Sequence, residues 1–143
     1  MTHAELVARG KKWLINNGWN PVFTEQGFQD SLEKPDVIGW RNGCSVLFEV
    51  KVSVEDFKID AKKIFRQKPE CGMGSYRYYL VPEEIVDEIL PQLPHGWGLK
   101  SFQDGRDRIH NVKESECFNC KYDAGEIMFL VSRIKEIQRF GKG

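Results

Sequence analysis

The sequence lacks an excess of charge of either sign, because 21 basic residues are balanced by 21 acidic ones. Composition therefore predicts no general attraction to nucleic acid or membrane, and a site for a polyanion has to be a local cluster of cations. The chain also lacks an apolar run near the length of about eighteen residues that spans a bilayer. Its first residues, MTHAELVARGKK, lack the apolar centre of a signal peptide. We expect a cytoplasmic protein without a membrane segment.

Cysteine is scarce, and a cytoplasmic location predicts that Cys44, Cys71, Cys117 and Cys120 are reduced thiols. Cys117 and Cys120 form a CxxC pair to which His110 could add a ligand. A structural zinc site needs four ligands, usually with a second close pair, and the spacing of the other two cysteines does not supply one. A zinc-stabilised interaction domain is therefore an alternative with an incomplete ligand set.

The length of 143 residues and the 41% apolar content fit one buried core, so we predict a single domain over residues 1–143. Apolar periodicity predicts a first helix over 3–17, a strand in WNPVFTEQ that ends near residue 25, and a polar loop to 34. Strands over 35–40 and 45–52 and a helix from 53 to about 67 follow. The remaining sequence predicts a strand in SYRYYLVP, a short helix in EEIVDEIL, a strand in HGWGLKSF and a last helix in GEIMFLVSRIKEIQRFG. This order, α-β-β-β-α-β plus C-terminal additions, predicts an α/β fold with a mixed sheet flanked by helices.

The dipeptide Asn42-Gly43 predicts the register of a hairpin, because a two-residue type I′ turn needs positive φ at both positions. Paired residue numbers then sum to 85, which places Asp36 opposite Glu49. Directly opposed like charges destabilise a strand pair, so this arrangement needs compensation. Side-chain alternation puts Lys51 on the face of Glu49, while Val46, Phe48, Val50 and Val52 form an apolar face.

Two converging carboxylates predict a site for a hard divalent cation such as Mg²⁺ or Mn²⁺, which prefers oxygen ligands. Such an ion polarises a phosphoryl oxygen and activates a bound water, and Lys51 could position that water or stabilise developing charge. The simpler alternative is an ion pair of Asp36, Glu49 and Lys51 at a solvent-exposed edge, which would add less than about 1 kcal/mol.

Basic residues recur on the second predicted helix, where Lys58, Lys62 and Arg66 are spaced by four and Lys63 flanks them. A cationic ridge there could hold a phosphate backbone without reading bases, although a solvated helix face has the same pattern. On the first helix, Glu5 could supply a third oxygen ligand, or could simply favour the helix N-terminus.

The motif Pro35-Asp36, a gap, and Glu49-Val50-Lys51, set between two helices, resembles the PD-(D/E)XK nuclease superfamily over about residues 3–82. The stretches EVKVSVEDFKIDAKK, YRYYLVPEEI and LPHGWGL are similar to a bacterial and phage-borne branch of it. The resemblance implies a restriction-endonuclease-like fold. It assigns metal ligation to Asp36, Glu49 and the Val50 carbonyl, with Glu5 as a further ligand, and catalysis to Lys51. For Asp56 and Asp60 it implies capping and positioning.

The resemblance implies a metal-dependent nuclease that hydrolyses phosphodiester bonds of DNA and leaves a 5′ phosphate, in repair, recombination or mobile-element biology. The acidic residues within 25–30 could contribute ligands or compete for the metal. The alternative is a non-cleaving module of the same fold that binds nucleic acid or a protein. We expect the last helix, with Ile127, Phe129, Leu130, Ile134 and Ile137, to close the domain's own core, and a homodimer through this helix is the alternative.

Overall fold

The computed structural model describes residues 1–24 and 34–140. Its strands are β1 Val22–Thr24, β2 Val37–Arg41, β3 Cys44–Val50, β4 Tyr76–Pro82, β5 Gly98–Gln103 and β6 Arg108–Lys113. Its α-helices are α1 His3–Asn16, α2 Val54–Ala61, α3 Ile64–Gln67, α4 Val86–Ile89 and α5 Asp123–Arg139. Short 3₁₀ turns lie at Pro69–Cys71, Glu83–Ile85, Leu90–Gln92 and Asp104–Arg106.

The six strands form one sheet in sequence order. Strands β3, β4 and β5 are parallel to one another. At one edge β1 pairs antiparallel with β2, and β2 with β3, and at the other edge β6 pairs antiparallel with β5. The predicted α/β class with a mixed sheet and flanking helices is confirmed. Parallel strands need long crossovers, which α2 with α3 and then α4 provide.

Both faces of the sheet are covered, which explains the nearly continuous apolar runs of β3 and β4. Helix α1 buries Leu6 and Leu14 against Val37, Phe48 and Val50 on one face. The other face carries Ile38, Leu47, Tyr79 and Leu99, packed with Phe57 of α2, Ile89 of α4 and Phe129 of α5. The face of the hairpin opposite α1 is thus a second core and not a solvent-exposed edge.

The predicted hairpin is confirmed. Asn42 and Gly43 have φ values of 51° and 79°, as a type I′ turn requires. The pairs Arg41–Cys44, Trp40–Ser45 and Ile38–Leu47 follow the predicted sum of 85.

The predicted second helix is wrong beyond residue 61. Helix α2 ends at Ala61 with Lys62 as its C-cap, Lys63 adopts an extended backbone, and α3 begins at Ile64. The break turns Arg66 inward and leaves Ile64 exposed, whereas the helical spacing predicted Arg66 on the outer, cationic side. The continuous basic ridge that included Arg66 therefore does not form.

Strand β6 is missing from the sequence prediction, which treats this stretch as polar loop. It is an edge strand in which only Ile109 and Val112 are half-buried, so its alternation is weak. Charged residues are common on such edges because they discourage pairing with other chains.

Helix α5 closes the core only in part. Phe129 is buried, but Ile127 and Ile134 are exposed together with Met128 and Val131. The homodimer alternative stays a prediction. None of the helices within residues 1–24 and 34–140 has the length and apolar character needed to cross a membrane. The predicted polar loop and its acidic residues at 25–30 lie outside the described residues.

Candidate functional site

A cluster of charged side chains lies where β3 ends and α2 begins. Glu49 is the penultimate residue of β3, and Lys51 follows the strand. Lys51 Nζ lies 3.7 Å from Glu49 Oε2 and 3.7 Å from Asp60 Oδ1. Arg66 Nη2 lies 3.7 Å from Glu49 Oε1. Two cations thus face two carboxylates at one end of the parallel strands.

Asp60 is the most enclosed acid of this cluster. It accepts a hydrogen bond from Arg66 Nε over 2.9 Å and another from the Tyr79 hydroxyl, and Lys63 Nζ lies 3.2 Å away. Burial pushes the pKa of Asp60 upward, but Arg66, the Tyr79 hydroxyl and Lys51 outweigh it, so that the pKa falls below its ordinary value. Asp60 is therefore an anion that fixes Lys51 and Arg66.

Arg66 is held on both sides. Its guanidinium carbon lies 4.4 Å from the centroid of the Trp97 ring and 4.6 Å from that of Phe65, while its nitrogens face Asp60 and Glu49. A cation enclosed in this way positions the carboxylates and is not available to a phosphate backbone. Of the four basic residues predicted to bind nucleic acid, Lys58, Lys62 and Lys63 remain exposed.

Asp36 lies just before β2 and is tied to β3 through the main chain. Its Oδ2 accepts a hydrogen bond from the Val50 N–H over 2.8 Å, and His3 Nε2 lies 3.5 Å from the same oxygen. The Lys51 N–H points the other way and bonds to the Leu80 carbonyl on β4. Because the N–H and C=O of one residue in a strand point to the same side, the Val50 carbonyl is directed to the side of Asp36.

The predicted direct pairing of Asp36 with Glu49 is corrected, since the ladder ends one pair earlier, at Val37–Phe48. Glu49 faces Lys51 and Arg66, and Asp36 contacts His3 and the Val50 N–H. Nearby cations therefore offset the repulsion between these acids. The register alone does not require a bound metal ion.

Glu5, predicted as a third metal ligand, caps its own helix. Its Oε2 accepts from the Thr2 N–H over 2.9 Å, and its own N–H donates to the Thr2 hydroxyl over 3.1 Å. This reciprocal pair is a capping box, in which the carboxylate stabilises the first turn of α1. Ligation by Glu5 stays a prediction.

The types of donor atom near the end of β3 are those that a hard divalent cation prefers. Asp36, Glu49 and the Val50 carbonyl offer oxygen atoms, and Mg²⁺ commonly keeps several waters beside one or two carboxylates. No group of three or more His, Cys, Asp and Glu side chains within residues 1–24 and 34–140 is arranged to hold a metal ion. A cation here would therefore depend on the main chain and on water. The same finding gives a zinc site at the exposed Cys117 and Cys120 no support.

Sequence reasoning gave Asp60 a capping and positioning role but missed its central place, assigned Arg66 to nucleic-acid binding, and missed Tyr79 and His3. A signal for Asp60 was present, because it follows Phe57 by three residues and precedes Ala61 on the apolar stripe of α2. A charged residue on a buried stripe needs a partner. Arg66 could not be assigned, since its inward direction follows from the break between α2 and α3.

No family model matches the sequence, and no curated protein matches it either. The chain is similar to a solved structure, that of the SPO1766 protein from Silicibacter pomeroyi, which is described as a protein of unknown function. The TM-score is 0.67 at 19% sequence identity, and the match covers 100% of this chain and 95% of that one. This likeness supports the α/β fold alone.

Proposed function

We propose that this protein is a Mg²⁺- or Mn²⁺-dependent deoxyribonuclease with a restriction-endonuclease-like core. The observation that carries the proposal is the arrangement of Asp36, Glu49 and Lys51 around the end of β3. Asp36 bonds to the main chain of Val50, Glu49 precedes that residue, and Lys51 lies 3.7 Å from Glu49. These are the residues of the PD-(D/E)XK motif, in the expected order.

In this proposal Asp36, Glu49 and the Val50 carbonyl hold the cation. When bound, the cation supplies Lewis-acid polarisation of a phosphoryl oxygen and a more acidic water. The Lys51 ammonium orients the attacking water and stabilises negative charge that develops on phosphorus-bound oxygens. Asp60 holds the Lys51 ammonium beside Glu49, because Asp60 Oδ1 lies 3.7 Å from Lys51 Nζ.

The exposed lysines of the α2–α3 connection provide the surface for the DNA backbone. Lys58 and Lys62 are exposed on α2 and at its end, and Lys63 follows. Lysines contact phosphate as point charges and read no sequence, so the proposal carries no base preference.

The second candidate is a module of the same fold that binds nucleic acid or a protein without cutting. The proximity of both Glu49 oxygens to a cation favours it, because Lys51 and Arg66 could serve only to neutralise a buried acid.

Cleavage assays separate the two candidates. Purified protein is incubated with plasmid, single-stranded and branched DNA in Mg²⁺, in Mn²⁺ and in EDTA. The nuclease predicts metal-dependent cutting that Lys51→Ala and Asp36→Asn abolish. Lys11→Ala is the control, since Lys11 is exposed on α1 and belongs neither to the proposed metal site nor to the lysine surface for the DNA backbone. Tight binding without cutting in any metal, or full cutting by folded Lys51→Ala, would exclude the proposed mechanism.

A further inference from the structure

A cavity of about 230 Å³ lies on the opposite face of the sheet from Glu49. It opens between the C-terminal half of α1 and strands β3, β4 and β5. Pockets for drug-sized ligands start at roughly 300 Å³, so this one suits a single planar ring system. Its principal lining residues are Trp13, Trp19, Arg41, Phe48, Tyr78 and Lys100.

Aromatic rings form most of the wall. The centroids of Trp13 and Phe48 are 6.0 Å apart, and those of Phe48 and Tyr78 are 5.8 Å apart in an edge arrangement. Trp19 meets Tyr76 edge to face at 6.5 Å. Aromatic side chains of this kind can pack against a flat ligand, and the stacking of bases on them is a common mode of nucleotide recognition.

The polar group deepest in the wall is Lys100, which is only 4% exposed. Its Nζ lies 4.4 Å from the ring centroids of Trp13 and of Tyr78 and donates to Asn111 Oδ1 over 3.0 Å. An ammonium has three N–H donors, so Lys100 can donate to a ligand acceptor as well as to Asn111. Burial lowers the pKa of Lys100, which means that an anion or a carbonyl oxygen in the cavity would stabilise its charged form.

The charges around the cavity favour an anionic ligand. Arg41 lies at the rim, with its guanidinium carbon 4.2 Å from the Trp19 ring centroid and Nη1 bonded to the Asn17 carbonyl over 2.8 Å. The remaining N–H groups of this guanidinium suit a phosphate. Glu114 opposes the two cations, but its oxygens already accept from Tyr78 and Asn111.

We propose that this cavity binds a nucleotide, with the base stacked on the aromatic wall, a base acceptor at Lys100 and the phosphate at Arg41. The nucleotide can be free or can be the end of a nucleic-acid strand, since both present the same chemistry. The site is independent of the proposed nuclease site, because successive residues of β3 point to opposite faces and place Phe48 here and Glu49 there.

Calorimetric titration of the full chain in EDTA tests the proposal. The probes are the four common nucleoside monophosphates, their nucleosides, and short oligonucleotides with and without a terminal phosphate. We expect saturable binding of at least one monophosphate, weaker binding of its nucleoside, and quenching of tryptophan fluorescence. A free nucleotide as ligand predicts that the monophosphate binds more tightly than the phosphorylated oligonucleotide. The end of a nucleic-acid strand as ligand predicts the reverse order.

Lys100→Met keeps the length of the side chain and should weaken binding at least tenfold, and Arg41→Gln should remove the preference for the phosphate. Lys113→Met, on the neighbouring edge strand, is the matched control and should bind like the natural chain. Lys100→Met leaves Asn111 Oδ1 without this donor, so its thermal unfolding is compared with that of the natural chain, and Arg41→Gln, at an exposed side chain, tests the site independently. No binding of any probe, or equal binding by Lys100→Met, overturns the proposal. Neither result depends on whether Lys51→Ala abolishes cleavage.

Discussion

Arg66 Nε donates a hydrogen bond to Asp60 Oδ2 over 2.9 Å, and each side chain is only 1% exposed. Loss of one partner of a buried ion pair leaves the other charge without compensation, which costs about 3 to 5 kcal/mol. We predict that Arg66→Ala lowers the free energy of unfolding by about this amount in urea denaturation. Lys63→Ala also removes a cation near Asp60, but that lysine side chain is 47% exposed, so its loss should cost less than about 1 kcal/mol. Equal losses from the two variants would contradict this ranking.

Glu126 links α5 to the sheet. Its carboxylate accepts from the Gly74 N–H over 2.8 Å, the Ser45 hydroxyl over 2.9 Å and the Trp40 indole over 3.2 Å. Each buried donor left without a partner costs about 1 to 3 kcal/mol, so Glu126→Ala should lower the free energy of unfolding by at least about 3 kcal/mol. Hydrogen exchange should also quicken along α5.

The matched control for Glu126 is Asp123→Ala. Both acids contact Lys121, at 3.1 Å and 2.7 Å respectively, but the Asp123 side chain is 74% exposed. Its removal should change the free energy of unfolding by less than about 1 kcal/mol and leave exchange along α5 unchanged. A large effect of Asp123→Ala would show that Lys121, and not the buried carboxylate, holds the helix.

Tyr78 makes folding sensitive to alkali. Burial chiefly, with Glu114 adding to it, raises the pKa of Tyr78 to about 12 from an ordinary value of 10.0. The native state keeps the proton more tightly than the unfolded chain, so this stabilisation is complete below about pH 10 and is lost between about pH 10 and pH 12. The loss amounts to about 2 to 3 kcal/mol. Tyr78→Phe should therefore lose less stability than the natural chain over that range, measured as urea midpoints against pH. Parallel curves for the two proteins would refute the assignment.

The lysines of α2 should determine the salt dependence of DNA binding under the proposed function. Each phosphate contact contributes a slope of about 0.9 to the logarithmic dependence of affinity on salt. Neutralising Lys58 and Lys62 together as glutamines should make this slope shallower by about 2. The exposed pair Lys11 and Lys12, on the other face of the sheet, serves as the control and should leave the slope unchanged. The measurement is fluorescence anisotropy with labelled DNA at several salt concentrations. Equal slopes for the two double variants would contradict the proposal.

The parts of the fold that could be predicted from the sequence are those with strong local signals. Asn42-Gly43 fixes a turn through backbone sterics alone, and the hairpin register follows from it. The N-cap at Ser53 is also local, since its hydroxyl accepts from the Asp56 N–H over 3.2 Å. Strand β6 and the break at Lys63 could not be predicted, because an exposed edge strand has little apolar alternation and the break is stabilised by contacts distant in sequence.

The candidate site, like the fold, could be predicted from the sequence only in part. Asp36, Glu49 and Lys51 could be placed at one end of the hairpin from spacing. Their partners could not, since Asp60 and Arg66 meet only after the chain between β3 and β4 has folded back. The opposition of two acids predicted from register overlooked the partners that tertiary structure brings to each, which are Lys51 and Arg66 for Glu49 and the Val50 N–H for Asp36.

Two consecutive residues of β3 serve the two proposed sites. Phe48 points toward α1 and lines the cavity, and Glu49 points toward α2 and belongs to the charged cluster. A deletion or insertion of one residue within this strand would turn over every later side chain and exchange an aromatic ring for a carboxylate in both places. A substitution in β3 therefore acts on one of the two faces, whereas a change in the length of the strand would disrupt both proposed sites at once.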